Sequence, residues 1–317
     1  MGKWINRQSI ITLIGVLLVY AIIQGAIFAN VMPQFVGLTL IQVCIYIILA
    51  TSLNLINGIT GQFSIGHAGF MAIGAYMAAI IVVKFNGPLI LALLVGASVS
   101  ALAGFLIGLP TLRLKGDYLA IATLGFGEIV RIVFLNMDYV RGASGFSVPK
   151  TITWTWAFWL MVLSVLIIRN FISSTHGRAC IAIRENEIAA DVMGISTTKY
   201  KIMAFTIGAF FAGLAGGIYA NYLYIIQPQT FSFLKSFDIL VMVVLGGLGS
   251  LTGSILGAIV MTVASAVLSG WPAWRLVITA VLLIAMMIFR PTGLLGTKEF
   301  SLSFLGKKGD KNASSKD

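Results

Sequence analysis

Between Gln8 and Val83 the chain has no Lys, Arg, Asp or Glu at any position. Such a stretch cannot present a charged surface to water. It is several times longer than the roughly 20 apolar residues that carry one helix across about 30 Å of hydrocarbon. Further uncharged runs cover 85–112, 203–234 and 239–274. Charged residues make up 10% of the chain and apolar residues 59%, with a mean hydropathy of +1.00, whereas soluble domains are about 25% charged. The fold class that follows is all-α, a polytopic integral membrane protein, because only a helix pairs every backbone polar group within a single crossing segment.

Breaking the apolar runs at Gly, Pro, Asn and charge clusters predicts about ten transmembrane helices, over 10–29, 35–56, 64–83, 89–109, 118–137, 154–170, 201–226, 238–251, 254–269 and 276–289. One membrane domain is expected over 1–300. The polar tail 301–317 is expected to be disordered. Lys3 and Arg7 ahead of the first run imitate the start of a signal peptide. Ile27-Phe28-Ala29 is a poor cleavage site, however, and the run is long enough to cross, so it is kept as the first helix.

Of the 21 Lys and Arg residues, only Lys84, Arg141, Lys150, Lys235 and Arg275 fall in loops on the side away from the termini, and Arg131 falls inside a span. The positive-inside bias then puts both termini in the cytoplasm. The net charge of +11 comes from residues scattered between apolar runs, which excludes the basic, aromatic-interleaved patch of a nucleic-acid binder. Cys44 lies in a span and Cys180 in a loop, so neither a disulfide framework nor a metal cluster is indicated.

Two segments interrupt this apolar character. GITGQFSIGHAGF (58–70) brings Gly58, Gly61, Gly66 and Gly69 together with Gln62, Ser64 and His67, just after Asn54 and Asn57. LGGLGSLTGS (245–254) carries Gly246, Gly247 and Gly249. Backbone left unpaired in hydrocarbon costs several kcal/mol per group, so each segment must be buried in protein or face water. Gly-interrupted segments in both halves of a chain are expected where discontinuous helices meet a translocation pathway, and a tight hairpin between two helices has the same signature. His67 fits a pathway role or a hydrogen bond that fixes the turn. Glu128 and Arg131 share one helical face inside a span, as a lock between helices or as part of a pathway. Small residues four apart, Ala209, Gly213 and Gly217 in one run and Gly249, Gly253 and Gly257 in another, predict close helix packing.

The longest internal polar segment is 171–201, expected in the cytoplasm. Within it 184–193 reads as a short amphipathic helix: Ile188, Val192, Ala189 and Met193 form an apolar face, with Glu185, Glu187 and Asp191 on the remainder. A helix that short needs something to pack on, and a solvated loop is the alternative.

This segment resembles the coupling loop of ABC-transporter permeases, in which Glu-Ala-Ala precedes a Gly by three residues. Here Ala189 and Ala190 precede Gly194 at that spacing, while the glutamate stands one place early at Glu187. NLINGITGQFSIGHAGFMAIGAYMAA, GDYLAIATLGFGEIVR, GRACIAIRENEIAADVMGI, AGLAGGIYA and GGLGSLTGSILGA are together similar to the branched-chain amino acid transport permeases of bacteria, in particular the M-type subunit. The resemblance implies a bacterial plasma-membrane permease that works with an H-type permease, two cytoplasmic ATP-binding subunits and a periplasmic or surface-tethered binding protein for leucine, isoleucine or valine. It implies that Arg184, Glu185 and 187–194 meet the ATPase. Urea and short-amide importers have similar blocks, so that substrate class stands as an alternative.

The chain contains no G-x-x-x-x-G-K-[ST] phosphate loop, so ATP is expected on partner chains and no cofactor or metal on this one. A stand-alone secondary transporter or channel would need an ion-coupling or filter site of its own, and the spans hold few acids. An embedded enzyme is disfavoured because His67 and His176 are the only histidines.

Overall fold

The computed structural model describes residues 7–29, 32–111 and 116–271, with scattered positions between 277 and 296. Its helices are α1 (Arg7–Phe28), α2 (Gln34–Asn54), α3 (His67–Lys84), α4 (Leu89–Thr111), α5 (Asp117–Leu135), α6 (Trp154–Ser173), α7 (Thr175–Glu185), α8 (Glu187–Val192), α9 (Thr197–Tyr222), α10 (Phe233–Gly246) and α11 (Leu251–Val267). Strands β1 (Phe146–Ser147) and β2 (Ile225–Ile226) pair antiparallel, with Phe146 opposite Ile226. Seven of the described helices are long and apolar enough to cross a membrane. The protein is a mostly helical, multi-pass membrane protein.

The expected count of ten spans is not reached among the described residues. The apolar part of α1 is described only over Ile14–Phe28. The expected span 276–289 falls largely outside the described residues, as does the tail 301–317. The helix expected over 238–251 is α10, of the same 14-residue length but shifted five residues towards the N-terminus.

Helix α9 is the most enclosed of the long helices and packs on α2, α3 and α4. Glycines permit this. A methyl group on Gly74 would collide with the backbone of Gly213, one on Gly216 with the Met71 carbonyl, and one on Gly104 with Ala209. The stripe of Ala209, Gly213 and Gly217 is therefore the seam against α3 and α4, where close backbone approach replaces the missing hydrophobic drive. Gly253 and Gly257 lie against Gly246 and Met242 of α10, whereas Gly249 sits in the turn before α11.

Helix length fixes where the pieces lie. At 1.5 Å per residue, the 26 residues of α9 cover about 39 Å, from the α8 end of the bundle to the strand pair at the opposite end. The 14 residues of α10 cover only about 21 Å on the way back, so α10 starts inside the bundle. The expectation of continuous helix up to residue 226 fails for the same reason. Val148 N–H donates to the Tyr224 carbonyl and Thr151 N–H to Asn221, which ends α9 at Tyr222 and turns 223–232 back into the bundle.

Candidate functional site

Two helices begin within the bundle, and their first turns meet. Between α2 and α3 the chain makes a π-helical turn, Leu55–Ile59, and then runs without regular secondary structure to His67. Several of its backbone groups have a partner outside regular structure. The Asn57 amide donates to the Ser64 carbonyl and accepts from Ser64 N–H, both at 3.2 Å. Gln62 N–H donates to Ile56, and Ile65 N–H donates to Thr123 Oγ1 on α5 at 3.1 Å. Gly66 is needed because a Cβ there would strike the Thr123 carbonyl. Ala68 N–H, in the first turn of α3, donates to Ser236 Oγ in the first turn of α10 at 2.9 Å. The positive ends of two helix dipoles therefore face one interior region.

Carboxylate Glu128 serves this region from α5. Its Oε2 pairs with Arg131 Nε at 2.6 Å and its Oε1 accepts Phe233 N–H at 3.0 Å. Both side chains are about a quarter exposed. The pair is thus more than a bond within one helix, because Glu128 caps the start of α10. His67 Nε2 lies 2.8 Å from Ser52 Oγ, which also reaches the Leu49 carbonyl at 3.0 Å. When the hydroxyl proton goes to Leu49, the imidazole donates from Nε2. Both amide atoms of Gln62, Ser64 Oγ, His67 Nδ1 and Tyr76 Oη are buried with no protein partner. Buried polar atoms are normally paired, and in this segment and the helix that follows it five are left without a protein partner.

The two glycine-rich turns, far apart in sequence, pack on each other. Asn54 spans the gap: its Oδ1 accepts Gly249 N–H at 2.9 Å and its Nδ2 donates to the Ser250 carbonyl at 3.1 Å. A Cβ on Gly58 would overlap both Asn54 Oδ1 and Gly249 N, and Gly249 itself has φ +88°. Gly246 and Gly253 meet backbone to backbone, and Gly247 (φ +116°) makes the turn between α10 and α11. Gly61 takes φ +72° with its α-carbon turned to Arg184. The candidate residues Asn54, Gly58, Gly61 and Gly249 are thus brought together. Gln62, Ser64, Gly66 and His67 lie deeper, along the climb to α3.

The polar segment forms two helices instead of the single helix expected over 184–193. Asn186 breaks the run: it is extended (φ −159°), and its side chain accepts Ala189 N–H at 3.0 Å as the N-cap of α8. Arg184 and Glu185 therefore end α7. On α8, Ile188, Val192 and Met193 are 75%, 81% and 81% exposed, whereas Ala190 is buried. Ala189 follows the N-cap in the first turn. Gly194 (φ +83°) closes the helix, with Ile195 N–H returning to the Ala190 carbonyl at 3.0 Å. Glu187 pairs with Lys201 of α9 at 2.6 Å, tying α8 to the bundle. Cys180 is buried under this layer, and burial raises its thiol pKa. Among the described residues no cluster of His, Cys, Asp and Glu is placed to hold a metal.

Sequence reading did not find Ser236, Thr123 or Ser52. A lone Ser or Thr in an apolar run usually bonds back to its own helix, so only the fold reveals that these reach other segments. Lys235, expected in an outer loop, instead sits in the first turn of α10. It donates to Tyr46 Oη and lies over the Tyr46 and Tyr219 rings, 4.7 and 5.6 Å from their centroids. The signal was available in principle: Lys235 stands only three residues before Asp238, between two uncharged runs.

Comparison with known proteins agrees with this architecture. Residues 35–289 match the family described as branched-chain amino acid transport system, permease component. The chain is 38% identical over 287 residues to the high-affinity branched-chain amino acid transport system permease protein LivM of Salmonella typhimurium, covering 79% of this chain and 68% of that one. It is 26% identical over 288 residues to LivH of the same organism, covering 80% and 92%. A probable branched-chain amino acid transport permease protein LivM of Methanocaldococcus jannaschii is 27% identical, covering 82% and 84%. No solved structure matches. With the family model spanning most of the chain and a relative well above 30% identity, the chain belongs to the permease component family of branched-chain amino acid transport systems.

Proposed function

We propose that the chain is the M-type permease subunit of an ATP-driven importer of branched-chain amino acids. It forms the translocation pathway with a second, H-type permease and is driven by two cytoplasmic ATPases. The observation that carries the coupling half is α8. Three large apolar side chains, Ile188, Val192 and the C-cap Met193, stand exposed on a six-residue helix that is tied to α9 by the Glu187–Lys201 pair. An isolated helix of that length does not hold together. A rigid apolar knob outside the membrane region fits a groove on another protein, and a chain without a phosphate-loop motif fits being driven by a partner that carries one. The positive-inside bias favours α8 in the cytoplasm, where ATP is found.

The transport half rests on the interior junction. An amino acid presents a carboxylate, an ammonium and an apolar side chain. The meeting of the α3 and α10 N-termini, with Glu128 and the unpaired groups of Gln62, Ser64 and His67, offers complements to its polar ends. The substrate class follows the similarity to LivM and LivH proteins. A binding protein on the outer side would deliver the solute. Purification of the tagged chain in mild detergent tests the reading: two ATPases and a second permease are expected with it. A lone oligomer that retains no ATPase would overturn it.

A further inference from the structure

The proposed docking helix must act on the pathway through something, and one side chain touches both glycine turns. Arg184, in the last turn of α7, donates from Nη1 to the Gly58 carbonyl at 3.0 Å. The same Nη1 occupies the space that a Cβ on Gly249 would need, and the Arg184 α-carbon and stem lie against Gly61. Its guanidinium is held in place from behind: Nε and Nη2 both donate to Glu185 Oε1, at 3.2 and 2.6 Å. Asn54 locks the two turns to each other. On the other side, only Asn186 separates Glu185 from α8, and Asn186 is itself fixed as the cap of that helix.

We propose that Arg184 is a positioning residue for transport, a pin by which a displacement of α8 moves the Gly58 and Gly249 turns together. The inference rests on the proposed docking of ATPases to α8 and adds where the motion goes. The physical reasons are specific. Both turns lack side chains at the point of contact, so no intervening side chain can absorb a small shift of the guanidinium. The carbonyl of Gly58 belongs to a π-helical turn, a geometry of low intrinsic stability that a hydrogen bond of this kind can hold or release. The planar fork of Arg allows Glu185 to fix one edge while another edge reaches the carbonyl, which the point charge of Lys cannot do. From the turns the path continues through Asn57 and Ser64 to the start of α3, and through Gly246 to the end of α10.

The test uses the whole assembly, purified through the tagged permease and reconstituted into vesicles with the binding protein. The readout is leucine carried per ATP hydrolysed. Arg184→Ala is expected to retain the ATPases and to lower that ratio roughly tenfold, the scale of one lost charge-assisted hydrogen bond. Arg184→Lys is expected to fall between the two. Should Arg184→Ala fail to assemble, Glu185→Gln, which leaves the arginine in place but loosens its anchor, is expected to assemble and lower the ratio about threefold. An unchanged ratio in the variants that assemble overturns the pin while leaving the docking of ATPases intact. Loss of uptake strictly in step with loss of bound ATPase makes Arg184 a docking residue and also overturns it. A wild-type permease that retains no ATPase overturns both readings.

Discussion

Glu128 Oε1 accepts the N–H of Phe233 at 3.0 Å, so a carboxylate in the middle of α5 caps a helix that starts 105 residues later. The other oxygen of the same carboxylate pairs with Arg131. Capping and charge neutralisation thus meet in one group at the start of α10, whose first N–H groups have no partner within their own helix.

Separate substitutions should resolve these two duties. Glu128→Gln keeps an oxygen for Phe233 but leaves Arg131 without its counter-charge; Glu128→Ala removes both. Glu128→Gln is expected to lower stability by about 1–3 kcal/mol, Glu128→Ala by more, and the double variant Glu128→Gln with Arg131→Gln by less than Glu128→Gln alone. Thermal unfolding of the detergent-purified permease measures all three. A double variant weaker than the single would remove the pairing argument.

The Glu128–Arg131 pair inside a span was legible because a lone Glu and Arg three apart stand out in an apolar run. Its third partner was not, since a backbone N–H leaves no mark in sequence. The same holds for the interrupted segments. Glycine spacing announced that 58–70 and 245–254 are special, but not that Asn54 joins them or that Arg184 lies between. Helices α2 to α6 begin and end close to where hydropathy put them. The strand at Ile225–Ile226 stayed hidden because Leu223, Ile225 and Ile226 prolong the apolar run of α9, whereas Gln227, Pro228, Gln229 and Thr230 marked a loop without showing that it folds back onto Val148 and Thr151.

Glycines of similar appearance in sequence should respond in opposite ways. A methyl at Gly58 would overlap Asn54 and Gly249 backbone, whereas Gly125 on α5 has nothing within 4 Å. Gly58→Ala is expected to cost about 1–3 kcal/mol or to block assembly. Gly125→Ala is expected to be neutral or to stabilise by up to about 1 kcal/mol through helix propensity. Equal melting temperatures for the two variants would contradict the packed junction.

On α8, Val192→Asp and Gly194→Arg change an exposed apolar contact and a left-handed helix end, with open space around each. Both are expected to leave membrane insertion near wild-type levels while ATPase retention on the tagged chain drops at least about tenfold, as for an interface anchor. Ala190→Asp, at a buried position of the same helix, should also lower the stability of the segment. Normal ATPase retention in Val192→Asp would argue against α8 as the docking element.

Gln62 buries an amide with neither atom paired to protein. Replacing it by Leu, similar in size, removes that unsatisfied group and is expected to leave stability unchanged or slightly raised. Uptake should nevertheless fall by about tenfold if the amide meets the solute or its water. Melting temperature and initial uptake rate, measured on the same preparation, separate the outcomes. Wild-type uptake with raised stability would make Gln62 a bystander.

Burial also predicts a chemical property. Cys180 lies under the α7–α9 layer with its Sγ 3.9 Å from the Tyr200 carbonyl, and desolvation raises its pKa. Alkylation by a water-soluble maleimide at pH 7–8 is therefore expected to be at least about tenfold slower than for the denatured chain. Rapid labelling of the native protein would show that α8 and its neighbours lift away from the bundle.

The central claim is that this chain forms the wall of a pathway and receives its motion from other proteins through α8. Sealed vesicles carrying the purified permease alone, and vesicles carrying it with its companion permease, ATPases and binding protein, give the direct measurement: radiolabelled leucine accumulated against a gradient with and without ATP. Accumulation is expected only in the complete, ATP-supplied vesicles. Concentrative uptake by the permease alone would contradict the claim.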